Sequence, residues 1–201
     1  ARCRCSPSPA PRSSPWWAVV AITIAIAWGV SRRIGLSLAM GALLCLLGVL
    51  GLWDAGMQAL ALMIMAAGLS VLIGIPLGVL MARMNWLRSV MLPVLDVMQT
   101  MPSFVYLIPV VMLFGLGKIP AIIATVIYAV PPLIRLTDLG IRLVDREVLE
   151  ASRAFGANPR QQLFGVQLPL ALPNIMAGIN QTTMMALSMV VIASMIGARG
   201  L

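Results

Sequence analysis

The sequence predicts an all-α polytopic membrane protein of about five to six spans, and three observations carry that prediction. First, 61% of its 201 residues are hydrophobic and only 10% are charged, with a mean hydropathy of +1.01. A soluble domain is about 25% charged, so this chain has too little polar surface to cover a water-soluble globule. Second, the apolar residues come in blocks, each close to the roughly 20 residues that a helix needs to cross a bilayer. Third, tryptophan and arginine gather where those blocks end, which is how membrane interfaces and topology are marked.

Residues 1–15 (ARCRCSPSPAPRSSP) have no hydrophobic period and read as a disordered tail. A basic stretch ahead of an apolar block resembles a signal peptide. With no small-residue cleavage site before Arg32 and Arg33, an uncleaved first span is expected. The spans are read as 16–30, 34–53, 57–82, 90–115, 119–139 and 170–197, which divides the chain into N-terminal spans at 16–56 and a core at 57–201. Trp16, Trp17, Trp28, Trp53 and Trp86 all fall at or just beyond block ends. That placement argues against an aromatic cage for a cation.

Charge orients the spans. Arg32, Arg33, Arg83, Arg88, Arg135, Arg142, Arg146, Arg153 and Arg160 are nine of the fourteen basic residues, and simple alternation puts all nine on one side. The opposite loops hold Lys118 and Arg199, so the side with nine is the cytoplasm. Arg2, Arg4 and Arg12 then lie outside, against the rule, which leaves two readings open: the first span is not a true crossing, or the tail is not native. Gly74, Pro76, Gly78, Pro102, Pro109, Pro131, Pro132 and Pro173 fall within the spans and predict kinked, closely packed helices rather than a straight anchor.

The most informative stretch is the polar interruption at 143–169, LVDREVLEASRAFGANPRQQLFGVQLP. Asp145 is a good N-cap, with Glu147 in the first turn behind it. Val144, Val148, Ala151, Ser152 and Phe155 recur at helical spacing and form a mostly apolar face. Gly156 follows where a left-handed residue ends a helix at little cost. Asn158 then caps a second helix, with Pro159 at its first position, expected to run to about Val166. A helix–glycine–helix elbow with an apolar face towards water needs a partner to cover it.

Glu150-Ala151-Ser152, then Gly156, then Leu168-Pro169 resemble the cytoplasmic EAA loop of binding-protein-dependent ABC importer permeases, with serine at a position where the family usually has alanine. The strings at 96–117, 131–141 and 167–197 are similar to the glycine betaine/proline betaine subfamily, and the similarity covers roughly 57–201. The resemblance implies a type I-like permease bundle, with those six residues coupling it to an ATP-binding cassette subunit. It also implies a separate solute-binding protein, a second permease copy as homodimer partner, and residence in the bacterial inner membrane. The family usually continues into a further span, and Arg199 stands in what is usually a glycine pair, so the chain is expected to be C-terminally incomplete.

Other polar residues fall within spans. Asp96 is followed by Gln99, Thr100, Pro102 and Ser103, and an ionisable group inside a membrane points to function. It either lines a translocation path or bonds to its own bundle at interfacial depth. Asn180 and Gln181, with Thr182 and Thr183, line a path or hydrogen-bond between helices.

Several function classes are excluded. There is no GxxxxGK[ST] phosphate loop, and Lys118 is the one lysine, so any ATP is expected on a partner subunit and no cofactor on this chain. With no histidine, neither a Ser-His-Asp set nor a metal site has its usual ligands, and Cys3, Cys5 and Cys45 read as incidental thiols. The charge of +8 is spread along span ends rather than over one face, so nucleic acid is not expected as a partner. A channel or secondary transporter would show internal repeats and more intramembrane charge than the single Asp96 noted above.

Overall fold

The structure, a computed structural model, describes residue 25 and residues 34–50 and 53–195. The expected tail at 1–15, nearly all of the span at 16–30, and Arg32, Arg33 and Arg199 lie outside the described residues. By chain contacts the protein forms two compact units, Ala1–Leu60 and Ala61–Leu201. In the first unit, helix α1 covers Ile34–Val49 and exposes Leu43, Leu46 and Val49. The expected span to residue 53 is thus shorter, because Trp53 already begins the next helix with Asp54 in its first turn, where a carboxylate favours a helix start.

Five longer elements and the elbow follow: α2 (Trp53–Arg83), α3 (Asn85–Thr100), α4 (Ser103–Phe114), α5 (Lys118–Arg142), α6 (Arg146–Ala154), α7 (Pro159–Gln162) and α8 (Leu168–Met195). Within the second unit α5 is the central helix, burying residues along its length from Pro120 to Ile141. Glycines let its neighbours approach closely. A Cβ on Gly74 would stand 2.8 Å from a Leu133 methyl, and one on Gly78 2.9 Å from the Ile134 carbonyl oxygen. On the opposite flank, Cβ atoms on Gly140 and Gly178 would meet Asn174 at 2.8 Å and Leu133 at 3.0 Å. This small-residue packing draws α2 and α8 onto α5 where lipid supplies no hydrophobic drive between helices. Pro131 and Pro132 sit buried inside α5, where neighbouring helices shelter the broken backbone ladder.

The expected kinked span at 90–115 is broken outright into two helices, α3 and α4, bent by 92°. Pro102 forces its predecessor out of the helical region, and Met101 is extended at φ −76°, ψ 137°. The Tyr106 hydroxyl donates to the Met98 carbonyl at 2.7 Å, tying the break together. The start of α3 lies beside the end of α5, where Asn85 Oδ1 accepts from Arg142 at 2.9 Å. Leu107 of α4 packs near the other end, with Ala121, Ala124, Met189 and Ala193. The bent pair therefore runs from one end of the bundle to the other and counts as one broken crossing. With α2, α5 and α8 that makes four among the described residues. Gly115, with φ of +77°, closes α4 in the left-handed region.

The second elbow helix was expected to stop near Val166, ahead of the last span. It does not: residues 159–195 form one continuous helix of 37 residues. The join is a π-helical turn at Leu163–Gln167, in which the Leu168 N–H bonds back to the Leu163 carbonyl. Pro169 has no N–H and its ring would crowd a tight α-turn, so the wider turn lets the helix pass the proline without ending.

Candidate functional site

The elbow is assembled from local rules and then clamped. Asp145 Oδ1 accepts from the Glu147 N–H at 3.2 Å and starts α6. The Phe155 N–H bonds to the Ala151 carbonyl at 3.1 Å and the Gly156 N–H to Arg153 at 2.9 Å, after which Gly156 turns with φ of +80°. Gln161 reaches back to accept from the Asn158 N–H at 2.9 Å, and Pro159 opens α7. These are the caps and the turn expected from residues 145–159.

Gln162 was not singled out from the sequence, yet it holds the two arms together. It is 7% exposed, and its Nε2 donates to the Leu149 carbonyl at 2.9 Å and to Ser152 Oγ at 3.1 Å. The Ser152 hydroxyl in turn donates to Leu149 at 2.8 Å. The serine therefore has a structural task that alanine could not perform. A glutamine in a polar stretch gives no local signal of burial, which is why it went unread.

On the outer side, Glu150, Ala151, Gly156 and Phe155 are uncovered by the rest of the chain, and Phe155 is 92% exposed. Leu168 behaves differently: it packs against Ile141, Leu163, Ala171 and Ile175, while Pro169 is exposed beside it. Two arginines fasten the elbow end of the bundle. Arg83 donates to the Pro159 carbonyl at 3.1 Å. Arg142 donates to Asp138 at 2.9 Å and to the Met81 carbonyl at 3.2 Å.

Asp138 corrects the expectation that Asp96 is the single intramembrane carboxylate. Its side chain is 3% exposed and binds both Arg142 and, at 3.1 Å, Arg88. Asp96 lies in the open, 55% exposed, paired with Arg135, which also reaches Gln99 Oε1 at 3.4 Å. Thr100 turns onto its own helix, donating to Val97 at 2.9 Å. Asn180 and Gln181 stand exposed in the middle of α8, next to the buried Thr182. No hydrogen bond among the described residues joins them to the Asp96 group. Nor do three His, Cys, Asp or Glu side chains converge to hold a metal ion among those residues.

Residues 74–201 match the family model described as binding-protein-dependent transport system inner membrane component. The chain is 53% identical over 176 residues to the glycine betaine/proline betaine transport system permease protein ProW of Escherichia coli (strain K12), covering 88% of this chain and 49% of that protein. It is 47% identical to the glycine betaine/carnitine transport permease protein GbuB of Listeria monocytogenes, with 93% and 67% covered. The chain thus spans between about half and two thirds of these relatives. In fold it is similar to an inward-facing structure of the MetNI methionine ABC transporter, with a TM-score of 0.62 at 24% identity, covering 71% of this chain and 73% of that one. The chain belongs to the family of inner-membrane components of binding-protein-dependent transport systems, as a multi-span α-helical protein of that membrane.

Proposed function

We propose that the chain is the permease part of an ATP-driven importer for glycine betaine, proline betaine or a related quaternary amine, taken up as an osmoprotectant. The observation that carries the reading is the elbow: exposed Phe155 and Glu150 sit on a clamped joint whose second arm is continuous with a membrane span. Thirty-seven helical residues make a rod about 56 Å long. A push on α7 is therefore delivered deep into the bundle rather than lost in a loop. The names of the relatives support the solute class.

In this reading the elbow residues Glu150, Ala151, Ser152 and Gly156 dock an ATP-binding cassette subunit, which alone binds and hydrolyses ATP. Leu168 and Pro169 transmit the motion. A solute-binding protein delivers the solute, and closure of the ATPase tilts the spans to alternate access. Asp96, Gln99 and Thr100 line the path with Asn180 and Gln181. Amides left exposed at mid-span favour a second permease copy opposite them, since lipid offers no hydrogen-bond partner. A self-contained secondary transporter is less well supported, because the buried carboxylate Asp138 is already matched by two arginines. The chain itself is no enzyme. The reading is tested by purifying the tagged chain from its native membrane. An ATPase subunit should co-purify and bind nucleotide, while the isolated chain binds none; stoichiometric nucleotide binding to the isolated chain would contradict it.

A further inference from the structure

Beside the elbow, a groove of about 410 Å³ opens between the last turns of α2 and the π-helical turn that leads into α8. That volume falls in the range of small-ligand sites. Its walls are apolar, with Ile75, Val79 and Leu80 on one side and Leu163, Phe164 and Leu168 on the other. Its rim carries Arg83 and Arg160, and no acidic residue lines it. Arg83 is the final residue of a membrane-spanning helix, so the rim lies at headgroup level and the walls below it at the level of the acyl chains.

We propose that this groove binds an anionic phospholipid, with an acyl chain along the apolar walls and the phosphate between Arg83 and Arg160. The charge pattern selects this occupant. A zwitterionic headgroup brings its own cation and gains less from two guanidinium groups, and a purely apolar partner would leave both without a counter-charge. Basic pockets between spans on the cytoplasmic side are suited to anionic headgroups. Arg83 already donates to the Pro159 carbonyl, next to Arg160, so the two charges are held near one another by the backbone of α7. A phosphate there would bridge the end of α2 to the elbow, beside the Arg83–Pro159 hydrogen bond. This inference does not depend on which solute is carried.

The test uses the full chain in nanodiscs of equal parts dioleoylphosphatidylglycerol and dioleoylphosphatidylcholine, followed by extraction and native mass spectrometry of retained lipid. One phosphatidylglycerol should be retained, preferred over phosphatidylcholine by about thirtyfold, as two basic residues at a membrane surface predict. Arg160→Gln should cut that preference about fivefold, and Arg83→Gln with Arg160→Gln should bring it to about parity. Leu80→Trp, on the exposed edge of the groove, should displace either lipid while leaving the chain folded. Equal retention of both lipids, or an unchanged preference in the double variant, would overturn the proposal. So would competition by soluble glycerol phosphate, which would mark a free-anion site. A change of oligomeric state in Leu80→Trp with lipid retention intact would assign the groove to a second copy instead.

Discussion

Gln162 Nε2 lies 3.1 Å from Ser152 Oγ, and this contact joins the two arms of the elbow across the turn at Gly156. The same amide holds the Leu149 carbonyl, so one buried side chain fixes the angle between α6 and α7. Ser152→Ala removes a single partner and should lower the protection of amides in 146–162 by about 0.5–1.5 kcal/mol. Gln162→Ala removes both Nε2 bonds and the Arg153 contact to Oε1 at 3.5 Å, and opens a cavity, so it should cost more, about 1–3 kcal/mol. Hydrogen exchange by mass spectrometry reads both. Equal protection in wild type and Gln162→Ala would show that the clamp does not set the elbow.

Asp138 and Asp96 make a matched pair of tests for burial. Asp138→Asn leaves Arg88 and Arg142 without their carboxylate. Breaking a fully buried pair costs about 3–5 kcal/mol, but these arginines are 39% and 31% exposed, which brings the expectation to about 1–3 kcal/mol. Asp96→Asn opens an exposed pair and should cost about 0–1 kcal/mol. Thermal unfolding in detergent should therefore rank Asp138→Asn well below Asp96→Asn. The reverse order would refute the assignment of Asp138 as the structural carboxylate.

Gly78 tests the packing of α2 on α5. A Cβ there would stand 2.5 Å from Thr137 Cβ and 2.9 Å from the Ile134 carbonyl oxygen, so Gly78→Val must push the helices apart. Overpacking of this kind costs about 1–3 kcal/mol or more. At Gly68, on the same helix, a Cβ meets nothing within 4 Å, and Gly68→Val should be nearly neutral. Fluorescence-detected size exclusion after heating separates the two. Equal thermal stability would mean that α2 does not approach α5 through its glycines.

Much of the elbow is legible in sequence because its signals are local. Asp145, Gly156, Asn158 and Pro159 each act within one turn of their own position, and each is found where local rules put it. Proline was harder to interpret, since its effect depends on what surrounds it. Pro102 was read as a kink within one span, yet Met101 and Pro102 turn the chain through 92°. The second elbow helix is expected to end near Val166, yet a π-helical turn carries it past Pro169. Gln162 and Asp138 were missed because their importance comes from long-range partners. For Asp138 a signal was present: Arg142 lies four residues on, at the spacing of an intrahelical ion pair.

The central claim is that the elbow couples a partner's ATP hydrolysis to solute movement, and transport itself tests it most directly. Gly156 has φ of +80° and open space around it, so Gly156→Val strains only the backbone, by about 1–2 kcal/mol. Glu150→Lys reverses an exposed charge on α6 and disturbs no span. The measurement is uptake of labelled glycine betaine by the assembled transporter, normalised to permease present in the membrane. The account predicts that both variants insert normally and lose most of their uptake. Wild-type uptake in both would contradict it, since an ordinary solvated loop tolerates surface changes within about 0.5 kcal/mol.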